Sequence, residues 1–330
     1  MSSHNPSLPL PAPLVIGTRG SPLALAQARQ VGWRLSALLA GDGAPQTDAD
    51  APPGIAIEAI KTTGDLILDR ALSEAGGKGL FTKELDAALF DGRAHIAVHS
   101  AKDLPTELPP GLVIAGCLER EDVRDAFISV KAASIADLPE GAVVGTASLR
   151  RQAQVLRQRP DLRITLLRGN VGTRLQRIEA GEIDATLLAM AGLNRLGLAH
   201  KAAAPIPVET MLPAIGQGAI AIVAREADEA VLAVVAAIAH APTLIALEAE
   251  RAFLRVLDGS CRTPIAGYAR IVDGRVRFDG LLLSDDGRET VAVSRTGAPE
   301  EARALGEDAG HEVVARAGAA LLPHRSAGKA

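Results

Sequence analysis

The hydrophobic positions of this chain fall into short apolar runs, each followed by a turn and then by apolar residues at helical spacing. LVIGTRG (14–20) is a β-rich run that ends in glycine. Ser21 and Pro22 follow as a helix N-cap and a first-turn proline, and Ala24, Ala28, Val31, Leu35 and Leu38 continue on one helical face. IAIEAIK (55–61) alternates as a strand, KELDAALF reads as a helix, and HIAVHS (95–100) is a strand that opens into KDLP. The unit recurs where AVVGT (142–146) leads into SLRRQAQVLRQR, ITLLRG (164–169) into NVGTRLQRIEAG, and DATLLAM (184–190) into AGLNRLGL. This alternation predicts two α/β units with mainly parallel sheets, their functional turns gathered at the strand C-termini.

The C-terminal region has a different rhythm. IAGYARIV, RVRFDGLLLS and RETVAVS are joined by Asp273-Gly274 and Asp286-Gly287, dipeptides favoured in tight hairpins. With helices expected near 242–257 and 299–322, the pattern predicts a small α+β domain with an antiparallel sheet. GDGAPQTDADAPP (41–53) reads as a flexible insertion, and SEAGGKGLF (73–81) as a mobile glycine-rich loop.

A length of 330 residues fits two or three domains. Hydrophobic residues at 48% and charged residues at 22% place the chain among ordinary globular proteins, and no uncharged run approaches the ~20 residues of a membrane span. MSSHNPSLPLPAPL has neither the basic flank nor the apolar core of a signal peptide, so it reads as a disordered lead-in to a cytoplasmic protein. Cys117 and Cys261 are then expected as free thiols. A net charge of -4 excludes a globally basic nucleic-acid binder but leaves local clusters open.

Those clusters carry the chemistry. Arg19, Arg150, Arg151, Arg168, Arg174 and Arg195 all lie in or beside strand-to-helix turns, where exposed backbone N–H groups attract anions. Any one of them could be a solvated helix residue; together they predict a cleft for a ligand with several carboxylates or phosphates. A nucleic acid would suit the charge, but aromatics at 2% leave few stacking platforms. Asp103, just beyond HIAVHS and flanked by Ser100 and Lys102, either caps its turn or handles positive charge and protons at the sheet edge. His95 and His99 stand about 13 Å apart on a strand, too far to share a metal ion, and no metal site is expected. GGKGLF lacks the spacing of a phosphate loop. Cys117 ends the apolar run LVIAGC and reads as core. Cys261, among Gly259, Ser260 and Arg262, reads as an accessible thiol, either a nucleophile or an attachment point.

IGTRGSPLALAQA, GGKGLFTKEL, HIAVHSAKDLP, GTASLRRQAQ, LRGNVGTRL, AGLNRLGL, LPAIGQGAI and DGSCRTPIAG occur in this order over residues 16–267. Jointly they resemble the hydroxymethylbilane synthase (porphobilinogen deaminase) family. The resemblance implies two lobes like those of periplasmic binding proteins, with mixed, mainly parallel sheets, and a small third domain. The expected division is 1–13 as lead-in, 14–118 plus 218–238 as domain 1, 119–217 as domain 2 and 239–330 as domain 3. It implies head-to-tail condensation of four porphobilinogen molecules with release of ammonia, giving hydroxymethylbilane for tetrapyrrole and heme biosynthesis.

The implied cofactor is a dipyrromethane held by a thioether to Cys261, and the implied catalytic residue is Asp103, which would stabilise an azafulvenium cation. Arg19, Arg150, Arg151, Arg168, Arg174 and Arg195 would bind the acetate and propionate groups of cofactor and substrate. Ser21, Lys78, Ser100, Lys102, Thr146 and Ser148 would support them. The 73–81 loop would act as a lid and the domains as hinged bodies. A monomer is expected, with no nucleic-acid or membrane partner, handing its product to the next enzyme of the pathway. Ala147, Ser260 and Glu74 depart from residues frequent in the family, and none removes one of these functions.

Overall fold

The computed structural model describes residues 10–40, 52–66, 79–257, 263–318 and 321–322. Strands β1 (Leu14–Arg19), β2 (Ile55–Ile60), β3 (Ile96–Ser100) and β4 (Leu112–Cys117) build most of a first sheet. The chain then leaves for a second sheet of β5 (Asp125–Ser129), β6 (Val143–Gly145), β7 (Arg163–Thr165), β8 (Ala185–Ala189) and β9 (Ala204–Pro205). It returns as β10 (Ile220–Arg225), which inserts between β3 and β4 to give the order β2-β1-β3-β10-β4. The second sheet has the order β7-β6-β8-β5-β9.

The apolar runs become central strands because both faces of the first sheet are covered. Ile96, Val98, Ile220 and Ile222 pack on one face against Val31 and Leu35 of helix Pro22–Ala40 and Val231 and Val235 of helix Glu229–Ile238. Ala97, Ala221 and Val223 pack on the other against Leu85 and Leu89 of helix Lys83–Phe90. Cys117 is fully buried there, as core, and burial pushes its thiol up to about 12.

The two lobe sheets are more evenly mixed than alternation of strands and helices predicts. The pairings β1–β2, β1–β3, β6–β7 and β6–β8 are parallel, while β10 runs antiparallel to β3 and β4, and β5 to β8 and β9. The antiparallel partners are the strands that arrive from the other lobe, so no crossover helix sets their direction. β5 and helix Glu229–Ile238 were not foreseen. The run read as a strand over 164–169 leaves the sheet after Thr165, and 166–169 have no regular structure.

The third sheet, β11 (Ile265–Val272), β12 (Arg275–Leu283) and β13 (Thr290–Gly297), is the expected antiparallel meander. Asp273 and Gly274 both have positive φ, 51° and 73°, as the tight hairpin requires. Helices Ala241–Val256 and Ala302–Arg316 cover it, with Phe253 and Phe278 in tilted contact, centroids 5.0 Å apart. The predicted last helix is shorter at both ends than 299–322.

The three sheets meet at the returning crossover. Glu250, fully buried, accepts from the amides of Gly216 (2.6 Å) and Ala269 (2.8 Å) and pairs with Arg120, whose Nε donates to the Gln217 carbonyl at 2.9 Å. One carboxylate thus ties the third domain to both crossing segments, with its own charge paired to Arg120. Gly218 beside it has φ +87°, and a Cβ there would lie 2.4 Å from the Glu121 carbonyl oxygen. Gly218→Ala is expected to cost about 1–3 kcal/mol, read as a lower midpoint in urea denaturation.

Candidate active site

The first sheet brings Arg19 and Asp103 together because β1 and β3 are neighbours and both end at the same edge. The 3-10 turn Ala101–Asp103 that follows β3 lifts Asp103 over that edge, where its carboxylate lies 3.5 Å from Nη1 of Arg19. The rest of the Arg19 guanidinium pairs with Asp65 and stacks over Phe81, 4.1 Å from the ring centroid. Thr62 donates to Asp65 at 2.7 Å. Burial pushes Asp65 up, but the bonds from Arg19 and Thr62 outweigh it and hold the carboxyl below its ordinary value. A small cavity opens beside Asp103, lined by Ser21, Gln27 and Ser100 among others. Ser21 Oγ accepts from the Ala24 amide (3.3 Å), and Ser100 bonds Gln27 at 2.8 Å.

The second sheet contributes through the turn after β6. Thr146 Oγ1 accepts from the Ser148 amide at 3.1 Å, and Ser148 caps helix Leu149–Gln158. The first turn of that helix directs Arg150 and Arg151 inward. Both are buried, and both bond the fully buried Asp125 at the start of β5, with contacts of 2.7–3.2 Å. Arg150 also reaches the Leu212 carbonyl at 2.8 Å. Although burial pushes the Asp125 carboxyl up, the two guanidinium groups hold it far below the ordinary range. The trio therefore carries a net positive charge inside the protein. Gln217 links it to the first lobe, donating to Asp125 (3.2 Å) and accepting from Lys102 Nζ (3.3 Å).

Arg174, on helix Val171–Glu179, donates Nε to the Gly169 carbonyl at 2.9 Å. Burial, with Arg151 and Arg168 nearby, lowers it to about 10, while Asp103 opposes the shift. Lys102 is lowered to about 8 by burial and by Arg151, against Asp103 and Asp125. Arg195 turns instead to the crossover, where Nη2 donates to the Gly218 carbonyl at 2.8 Å and Glu121 is its charged neighbour.

Lys102 has a measurable consequence. Its folded pKa lies below the unfolded value of 10.5, so the unfolded chain binds more protons between about pH 8 and 10.5. Wild-type stability should gain over that window relative to Lys102→Met, and urea denaturation of both proteins at pH 7.5 and 10 checks it.

Cys261, Lys78, and positions 73–78 of the glycine-rich loop lie outside the described residues, as do 1–9 of the lead-in and 41–51 of the insertion. Sequence reasoning missed Asp125, Gln217, Asp65 and Phe81. Asp125 left a signal, because it opens the apolar run DAFIS at the mouth of a strand much as Asp103 follows HIAVHS. The donor set suits a ligand rich in carboxylates: Arg19, Lys102, Arg150, Arg151, Arg168 and Arg174 are six cations around three carboxylates, Asp65, Asp103 and Asp125. The Nε atoms of Arg150 and Arg195 are buried without a partner.

Among the described residues no single helix is long and apolar enough to cross a membrane. Residues 14–233 match the family model described as porphobilinogen deaminase, dipyrromethane cofactor binding domain, and 244–315 match the porphobilinogen deaminase C-terminal domain. The chain is 55% identical to porphobilinogen deaminase from Nitrobacter winogradskyi over 92% of its own length and 93% of the relative's. It is 52% identical to the chloroplastic porphobilinogen deaminase of Oryza sativa subsp. japonica, over 92% of this chain and 84% of that one. Among solved structures, a periplasmic substrate-binding protein of an ABC transporter from Coxiella burnetii aligns at 14% identity and TM-score 0.42, covering 72% of this chain and 96% of that one. The chain belongs to the porphobilinogen deaminase family of hydroxymethylbilane synthases, transferases of tetrapyrrole biosynthesis that work with a dipyrromethane cofactor.

Proposed function

We propose that Asp103 is the catalytic carboxylate of this enzyme and that the cations around it hold the acetate and propionate groups of porphobilinogen and of the growing chain. The observation that carries this reading is the placement of Asp103, partly exposed beside Arg19 and within electrostatic reach of Lys102 and Arg174, both of which also feel Arg151. A cleft with surplus positive charge binds a polycarboxylate, and one carboxylate within it can stabilise a cation that forms on the substrate.

In this reading Asp103 accepts the pyrrole N–H of porphobilinogen and offsets the positive charge that develops on its methylene as ammonia leaves. Arg19 fixes the carboxylate's position, and Phe81 and Asp65 fix Arg19. Arg174 and Arg168 bind substrate carboxylates from the second lobe. Arg150 and Arg151, already shared with Asp125, act through their net charge and through edges that Asp125 leaves open. Arg195 reaches the ligand through the edge not bonded to Gly218. Ser21, Ser100, Thr146 and Ser148 shape the turns, and Lys102 adds a donor. Cys261 would hold the dipyrromethane, which would supply the pyrrole carbon that primes condensation and the tether for successive additions. Residues 14–118 with 218–238, 119–217 and 239–330 are the three bodies of the enzyme. It works as a cytoplasmic monomer and releases its product to the next enzyme of the pathway.

Intact-mass measurement with peptide mapping tests the attachment. The protein should be heavier by one dipyrromethane, on the peptide containing Cys261 and not on that containing Cys117, whose buried thiol titrates too high to react. An active protein with an unmodified Cys261 peptide overturns it.

A further inference from the structure

The cavity beside Asp103 is lined by a buried, unpaired polar group with no role in the reading above. His99 is 4% exposed and lines the cavity with Arg19, Gln27, Phe81, Ser100 and Asp103. Its Nε2 is buried without a hydrogen-bond partner, while its neighbours Ser100 and Gln27 bond one another. Buried side-chain nitrogens are nearly always paired in folded proteins. A buried, unpaired one on a residue that lines a cavity marks a place where a ligand entering that cavity can complete the bond.

We infer that His99 Nε2, as the lone-pair nitrogen of a neutral imidazole, accepts a hydrogen bond from the aminomethyl ammonium of incoming porphobilinogen, so that His99 is a catalytic residue holding the leaving group. Its surroundings suit that task. Burial, and then the charge of Arg19, lower the imidazole to about 4, so the ring stays neutral at physiological pH and is an acceptor that does not remove the proton. That distinction matters for the step. The carbon–nitrogen bond breaks with its electron pair going to nitrogen, the three N–H protons stay, neutral ammonia departs, and the positive charge passes to the methylene conjugated with the pyrrole. Had a base first taken a proton, the group to be expelled would be amide ion, a far poorer leaving group. Asp103 is then left for the pyrrole N–H and the new cation.

The inference rests on the Asp103 cavity being the condensing site, which Asp103→Asn tests separately. His99→Phe removes the acceptor and keeps the ring volume. It should lower kcat/KM at least tenfold, as loss of a hydrogen bond to a charged group does, while the melting temperature holds or rises because an unpaired buried nitrogen is gone. His99→Gln restores an acceptor and should stay within about threefold of wild type. Intact mass should show the same cofactor load in both variants. A porphobilinogen analogue with methyl in place of aminomethyl should inhibit wild type and His99→Phe with equal Ki. Wild-type activity in His99→Phe overturns the inference, as does parallel loss of stability and activity in both variants, which would make His99 a packing residue. If His99→Phe alone fails to fold, loss of activity in a stable His99→Gln overturns it. A Ki that rises with the loss of kcat/KM places His99 on the pyrrole rather than on the ammonium and also overturns it.

Discussion

Replacing Asp103 with asparagine should lower kcat by about 10²–10³-fold, in the range for removing one preorganised electrostatic group from an active site. The substitution keeps the size and hydrogen-bonding reach of the side chain and removes only its charge. Asp103 is about one-third exposed and pairs with Arg19 at 3.5 Å, a loose contact; stability should therefore change little, since such pairs contribute little to folding. Substrate carboxylates would still meet Lys102, Arg151 and Arg174, so KM should move less than kcat. The expected pattern is a folded protein that binds porphobilinogen and condenses it slowly. Steady-state kinetics, with intact mass to establish cofactor loading, check it. An Asp103→Asn protein with near-normal turnover excludes the mechanism.

Asp125→Ala should be the most destabilising single change among those considered, by about 3–5 kcal/mol. Arg150, Arg151 and Asp125 are all buried, and the one carboxylate serves both guanidinium groups and the Gln217 amide. Its removal leaves two like charges uncompensated, which costs far more than losing an exposed pair. Against a typical total stability of about 5–15 kcal/mol, soluble yield should fall sharply. The triple change Asp125→Leu, Arg150→Met and Arg151→Leu should recover much of the stability, because a buried ion set can be replaced by apolar groups at little cost, yet it should abolish activity. Urea denaturation of both proteins beside wild type tests this. Equal stability of wild type and Asp125→Ala would show that the arginines do not depend on it.

Much of the architecture was legible because its signals are local. The apolar faces of helix Pro22–Ala40, the runs of β1, β2, β3 and β8 and the Asp-Gly turns of the third sheet depend on spacing within a few residues, and the structure reproduces them. β5 was missed because DAFIS is five residues long and preceded by charges, too short for any periodicity. Helix Glu229–Ile238 was missed because alanines and valines blur its polar side.

At the site, the turns that would carry Arg19, Arg150, Arg151, Arg168, Arg174 and Asp103 could be named from the order of residues, since anion-binding turns follow strands. Their partners could not. Arg19 meets Asp65 across 46 positions, Arg150 meets Asp125 across 25, and Lys102 meets Gln217 across 115. Such separations are set by strand order and by the returning crossover, and no pattern within either segment encodes them.

By itself, the sequence determined which residue types stand at strand ends, the family to which their joint order belongs, and with it the reaction. Tertiary structure alone decided how charge is distributed among them. Asp125 is withdrawn from solvent to bind two arginines, whereas Asp103 remains partly exposed beside Arg19. His99 is buried with an unpaired nitrogen. Two aspartates with the same intrinsic chemistry thus sit in different environments, because burial and neighbouring charge are specified only by the folded chain.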